Sequence, residues 1–201
     1  MGNVIAWGAS LYGPCNVPGR LVATQVAGGA GHSLALLPDG SVVAWGRNDW
    51  GQCNVPDGLI ATQIAAGSWH SLALCPDSSV VAWGYNFYGQ CNVPGGLIAT
   101  QIAAGRDHSL AIRPDDTVAA WGNNNHGECN VPDGLIATQV AAGFEFSLAL
   151  RPDGTVAAWG DDLYGPCNVP EGLIATQVAA GWDHSLALLP DGSVVAWGRN
   201  D

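Results

Sequence analysis

The sequence contains no lysine, and its six positive residues, all arginine, face 17 carboxylates for a net charge of −11. That balance excludes a phosphate-binding surface, which needs clustered positive charge, and argues equally against nucleic acid and anionic membranes as partners. No apolar run reaches the length of a membrane-crossing helix. The start, MGNVIAWG, has neither a basic head nor a long apolar stretch, so no secretion signal is read there. Charged residues make up only 11% of the chain and hydrophobic ones 48%, which supports a packed core and argues against disorder. Much of the acidity is local. Asp39, Asp77, Asp115, Asp153 and Asp191 each follow a proline and are turn residues first.

What is present is a repeat. Trp-Gly pairs begin at Trp7, Trp45, Trp83, Trp121, Trp159 and Trp197, and CNVP begins at Cys15, Cys53, Cys91, Cys129 and Cys167, always 38 residues apart. Four short segments recur: ATQIAAG, HSLAL, SVVAWG and QCNVP. Each is apolar or β-branched and bounded by Gly, Pro, Asp or Asn, as strands are. PDGS between the second and third is a hairpin turn with Gly at positive φ. No segment has the length or caps of a helix. The expected fold is all-β: a β-propeller of 38-residue, four-stranded blades, with a solenoid of small sheets as the alternative.

The pattern AAGxxHSLALxPDGxVVAWGxNxxGQ resembles the regulator-of-chromosome-condensation repeat in its short bacterial form, over the whole chain. It is also similar to the propeller-type β-lactamase inhibitors of streptomycetes. The resemblance implies a propeller whose aromatic and acidic loop residues cover an enzyme from one face. It does not carry over a target, because the loops differ most. Residues 1–201 are expected to form a single propeller domain, possible also as a slice of a longer array. The chain opens on a third segment, NVIAWG, and closes on another, SVVAWG, so one third strand is surplus. A five-bladed ring is the first expectation. Six blades with one incomplete, or homo-oligomers in which chains complete each other through the surplus strand, are the alternatives.

Five of the six cysteines occupy one repeat position on neighbouring outer segments, too far apart for bridges, and read as free thiols. Free thiols and the lack of a visible signal lean towards the cytoplasm without settling a compartment. His32, His70, His108 and His184 share a position that is Phe146 in the remaining unit, so they are expected to pack, with a ring nitrogen on a loop carbonyl, and not to hold a metal. The Ser following each His points to the opposite face of a strand, which argues against a catalytic pair. No cofactor is expected and the chain reads as a non-enzyme.

Comparing units shows where variation collects. The PDGS-type turns and the VPDGLIAT connections, assigned to one face, hardly change. The residues before each His position and after each Trp-Gly, assigned to the other face, differ in every unit. Tyr12, Trp50, Tyr88 and Tyr164 recur by repeat and are expected to pack on their blades, while His126, which replaces an aromatic at that position, is expected to be a surface loop residue. Free of the pattern are Trp69, Trp182, Phe144, Tyr85 and Phe87, beside Asp107, Asp183, Arg106, Glu145 and Arg47. Rigid aromatics among mixed charges make protein-recognition surfaces. These ten residues are the candidate partner-binding site. The expected function is recognition of a protein partner, as in an enzyme inhibitor. A sugar-binding propeller and a scaffold without ligand are the alternatives. Nucleotide exchange or chromatin binding has no residue-level support in this chain.

Overall fold

The computed structural model describes residues 2–8, 11 and 13–200. A short pair, β1 (Gly2–Asn3) with β2 (Val22–Ala23), precedes five antiparallel three-stranded sheets. These are β3 (Gln25–Gly28), β4 (His32–Leu36) and β5 (Val42–Gly46); then β6 (Gln63–Ala66), β7 (His70–Leu74) and β8 (Val80–Gly84). The third sheet is β9 (Gln101–Ala104), β10 (His108–Ile112) and β11 (Val118–Gly122), the fourth β12 (Gln139–Ala142), β13 (Phe146–Leu150) and β14 (Val156–Gly160). The fifth is β15 (Gln177–Ala180), β16 (His184–Leu188) and β17 (Val194–Gly198). The central strand is second in sequence each time, so both hairpins of a blade are local.

The alternation of Leu and Ala along HSLAL sets the packing. Leu34 and Leu36 of one blade share a core with Ile64, Ala73 and Trp83 of the next, so bulky side chains on one face meet the small Ala of the facing strand. The same arrangement recurs along the chain. The lower hairpins are held by their Asp. Asp39 Oδ1 accepts from the Ser41 amide at 3.0 Å and from its hydroxyl at 2.7 Å, while Gly40 takes φ 85°.

Two expectations need correction. QCNVP is not a strand. The Cys53 amide donates to Asn48 Oδ1 at 2.8 Å, and Gly51 turns the chain at φ 78°, so this segment is a capped turn. The outer edge of a blade is instead the following Leu-Ile-Ala, seen as β2 and as the bridges Ser79–Ile98 and Thr117–Ile136. The ring is also not closed. Inner strands pack in the series β3, β6, β9, β12, β15, but no comparable packing joins β15 to β3. Val26 of β3 is therefore 58% exposed, where its counterparts Ile64, Ile102, Val140 and Val178 are 2–4% exposed. The five blades form an arc around a shared axis, whose upper mouth is lined from Gly28 through Trp182.

Candidate functional site

Each blade presents two loops on the same side, and the backbone ties them together. Amides of the loop after Trp-Gly donate to carbonyls of the loop before the His position: Tyr85 to Trp69 at 2.9 Å, Asn123 to Asp107 at 2.8 Å, Asp161 to Glu145 at 2.8 Å. Arg47 to Gly31 and Arg199 to Asp183 complete the series at 2.7 and 2.9 Å. All the variable loops thus form one face, with the Pro-Asp turns on the other. Gly67 shows why the step into this face is glycine. An added Cβ would lie 2.4 Å from His70 Cε1 and 2.5 Å from the Gly105 carbonyl.

The first residue after that glycine is Ala30, Ser68, Arg106, Phe144 and Trp182 in successive blades, and these line the axial mouth, a cavity of about 220 Å³. Three of them form a continuous column. Phe144 and Trp182 stack at 4.4 Å between centroids, 18° from parallel, and the Arg106 guanidinium lies 4.1 Å over Phe144. Arg106 is clamped by Glu145 at 2.7 Å and Asp107 at 3.1 Å. Glu145 also meets His126 Nδ1 at 3.0 Å, and Asp107 accepts from Gln90 Nε2 at 3.2 Å. Burial pushes the Asp107 carboxyl up, Arg106 opposes this, and the Glu145 and Glu128 carboxylates add to the rise. Trp182 remains 60% exposed.

A second aromatic group stands between the second and third blades. Trp50 meets Tyr85 at 4.9 Å, Tyr85 stacks on Phe87 at 6.4 Å, and Phe87 meets Tyr88 edge-on at 5.0 Å. Phe87 is 77% exposed. The Tyr85 phenol is raised by partial desolvation first and by the Asp107 carboxylate next, with Arg106 opposing. Elsewhere Arg47 lies 4.6 Å over Trp69 and bonds Asp49, while Arg199 lies 4.7 Å over Tyr164 and reaches Asp183 at 3.4 Å.

The ten sequence-derived residues therefore fall into four groups. Arg106, Phe144, Trp182, Asp107 and Glu145 converge at the axis, Tyr85 and Phe87 form the rim group, Arg47 covers Trp69, and Asp183 pairs with Arg199. Trp69 and Trp182 stand one repeat position apart and have different surroundings. Sequence reading missed Trp50 and Tyr88, expected to pack away yet exposed, as is Tyr164. Tyr12 lies outside the described residues. His126 was read as a surface residue, and its ion pair with Glu145 has no signal in the repeat.

The repeat histidines differ from expectation in their partner. His32, His70 and His108 place Nε2 3.0 Å from the hydroxyls of Ser71, Ser109 and Ser147 in the next blade, not on a loop carbonyl. Those hydroxyls donate to the carbonyls of Gln52, Gln90 and Glu128, so each imidazole donates from Nε2. The arrangement is a latch between blades. The thiols of Cys53, Cys91, Cys129 and Cys167 donate to backbone carbonyls six residues earlier, as Cys53 does to Arg47 at 3.2 Å. Among the described residues no group of three His, Cys, Asp or Glu is placed to hold a metal ion.

The profile of the regulator of chromosome condensation (RCC1) repeat matches residues 23–52, 61–90, 99–128, 137–165 and 175–201. No curated protein matches the chain. Among solved structures, the ectodomain of the Physcomitrella patens receptor kinase CR4 is 24% identical with a TM-score of 0.76, covering 96% of this chain and 55% of its own. Prp20p from Saccharomyces cerevisiae, studied for its binding to Gsp1p and histones, is 26% identical with a TM-score of 0.76, covering 88% and 57%. Human WBSCR16 is 24% identical with a TM-score of 0.74, covering 90% and 64%. The chain thus spans less than two thirds of the length of each.

Proposed function

Because the chain belongs to the regulator of chromosome condensation repeat family, we propose that it is a protein-binding propeller which engages its partner through the variable-loop face. The carrying observation is the exposed aromatic surface at the axis and rim, Trp182 and Phe87 above all, set among clamped charges. Burying a Trp or Phe hides roughly 150–250 Å². At about 25 cal/mol per Å² each contributes several kcal/mol before the costs of association. The column is also rigid: Phe144 is held between Arg106 and Trp182, so little side-chain freedom is lost on binding. Protein binding by Prp20p supports the same class of partner.

The mode we favour is that of an inhibitor, a rigid aromatic surface laid over an enzyme's opening. Sugar recognition is less well supported, since Trp182 and Phe87 sit in unlike surroundings where a lectin repeats one pocket per blade. The test is affinity capture with the native chain and with Phe87→Ser/Trp182→Ser, whose positions are exposed and whose loss spares the fold. A partner held by the native chain and lost by the variant supports the reading. Equal capture by both overturns it, and binding to a glycan array would move the assignment to sugar.

A further inference from the structure

The repeat brings an arginine, a ring and a carboxylate together at one place on the loop face, and only the ring and the carboxylate at another. In the loop after β17, the Arg199 guanidinium lies 4.7 Å over Tyr164 and reaches Asp183 at 3.4 Å. Two repeats earlier the same three positions hold Asn123, Tyr88 and Asp107. The backbone is alike at both places: the Asn123 amide donates to the Asp107 carbonyl at 2.8 Å, as the Arg199 amide does to the Asp183 carbonyl at 2.9 Å. The ring and the carboxylate are kept and the cation is replaced. Asn123 is buried, and its Oδ1 accepts the Asn125 amide at 3.1 Å within its own loop.

One repeat before Asn123, a ring has taken the place of the cation. Tyr85 occupies the position of Arg47 and Arg199, and it meets Trp50 at 4.9 Å where Arg199 meets Tyr164. Phe87 occupies the position of Asp49, so the Arg47–Asp49 ion pair gives way to the Tyr85–Phe87 ring pair. The result is an aromatic patch in which Trp50, Phe87 and Tyr88 are exposed. Among the described residues no guanidinium lies over its rings, whereas Trp69, Phe144 and Tyr164 are covered by Arg47, Arg106 and Arg199. Charge beside the patch is unbalanced as well. Asp107, which acts on the Tyr85 phenol, lies near Glu128 and Glu145, and these three carboxylates face one guanidinium, Arg106, and the His126 imidazole.

We propose that this patch receives an arginine side chain of the protein partner, seated over Tyr88 and Phe87 as Arg199 is seated over Tyr164. The inference rests on the loop-face reading above and gives the chemistry of the partner residue. Ring faces and nearby carboxylates both attract a cation. A guanidinium also stacks flat on a ring, and its N–H groups suit the phenol oxygens of Tyr85 and Tyr88 as acceptors. A partner carboxylate at the same place is repelled by the surplus of negative charge, which the chain's total of −11 reinforces.

The test is a random peptide library displayed on phage, selected on the native chain and depleted on Phe87→Ser. That change is uncharged and at an exposed position, so general attraction to the acidic surface is equal in both chains. The surviving peptides are expected to share an arginine. In a synthetic copy, Arg→citrulline keeps the shape and removes the charge, and should weaken binding to the native chain at least about threefold, the scale of a cation–π contact. Asn123→Arg supplies the chain's own cation at a position where Arg47 and Arg199 already fit, with folding checked by circular dichroism. It should bind the arginine peptide at least about threefold more weakly than the native chain and no better than the citrulline form. Phe87-dependent peptides without arginine, equal binding of the arginine and citrulline forms, or unchanged binding by Asn123→Arg each overturn the inference and leave the loop-face reading standing. A selection that yields no Phe87-dependent peptide also overturns it, and affinity capture then decides the loop-face reading by itself.

Discussion

The imidazole of His70 and the hydroxyl of Ser109 lie 3.0 Å apart across two blades, and the Ser109 hydroxyl donates a hydrogen bond to the Gln90 carbonyl at 2.9 Å. The histidine is held neutral. Burial, and then the facing His108 and His32, take its pKa to about 3, while burial takes His32 and His108 each to about 4. An unfolded chain binds these protons near pH 6.5 and the folded chain does not. The stability contributed by neutral burial is therefore complete above about pH 6.5 and is lost as pH falls towards 4 and 3.

Urea unfolding midpoints should accordingly drop between pH 7 and pH 4.5, before the turn carboxylates titrate. Asp39, Asp77, Asp115, Asp153 and Asp191 are held below the usual carboxylate value by their Ser or Thr hydrogen bonds, so their share is lost only at lower pH. His70→Phe, which copies Phe146, should flatten the decline. An unchanged pH profile in that variant would show the latch histidines to be irrelevant to it.

Glycine at the step into the loop face is required by space. Gly67→Ala drives a methyl into the His70 ring and the Gly105 carbonyl, and should cost at least about 1–3 kcal/mol. Gly95→Ala meets nothing within 4 Å and should change stability by no more than about 0.5 kcal/mol. His70→Ala should recover only part of the Gly67→Ala loss, because the carbonyl remains. Thermal melts of the three variants decide the matter.

The repeat made the blades legible. Trp-Gly fixed the third strand and Pro-Asp the hairpin, and both agree with β5 and its equivalents. The fourth strand was misplaced because Asn48 takes the Cys53 amide, a side-chain cap that period-two patterning does not register. Ring closure was illegible for a different reason: curvature accumulates from small tilts at four junctions, which composition does not encode. The loop face was readable as a face, from which positions vary. Its internal order was half visible, since Arg106, Phe144 and Trp182 share one repeat position and so had to be neighbours. The clamp on Arg106 draws on Asp107 and Glu145 at the following position, which only the loop geometry brings within reach.

The blades are joined by polar as well as apolar contacts, and this too is measurable. Gln63 Oε1 accepts the Ile102 amide at 3.0 Å and its Nε2 donates to the Ile102 carbonyl at 3.5 Å, bridging inner strands that share no ladder of backbone hydrogen bonds. Gln63→Ala strands that amide and should cost about 1–3 kcal/mol. Gln177→Ala, at an exposed position that no following blade meets among the described residues, should lie within about 0.5 kcal/mol of the native chain. Equal losses at the two positions would mean that the amide bridge does not couple blades.

Thiol reactivity gives an independent reading of the outer turns. Burial raises Cys91 to about 11, and burial with neighbouring carboxylates raises Cys129 and Cys167 to about 12. The neighbours are Glu128 for Cys129, and Asp162 and Asp161 for Cys167. Since the thiolate is the reactive form, these three should be alkylated far more slowly in the folded chain at pH 8 than after unfolding in urea. Mass spectrometry of iodoacetamide-labelled peptides reads each site separately. The order matters: Cys91, which lacks a nearby carboxylate among the causes of its shift, should react before Cys129 and Cys167 as pH is raised. Uniform labelling at the folded and unfolded rates would mean that the turns open freely, and that the Sγ bonds to the Tyr85, Asn123 and Asp161 carbonyls do not hold them shut.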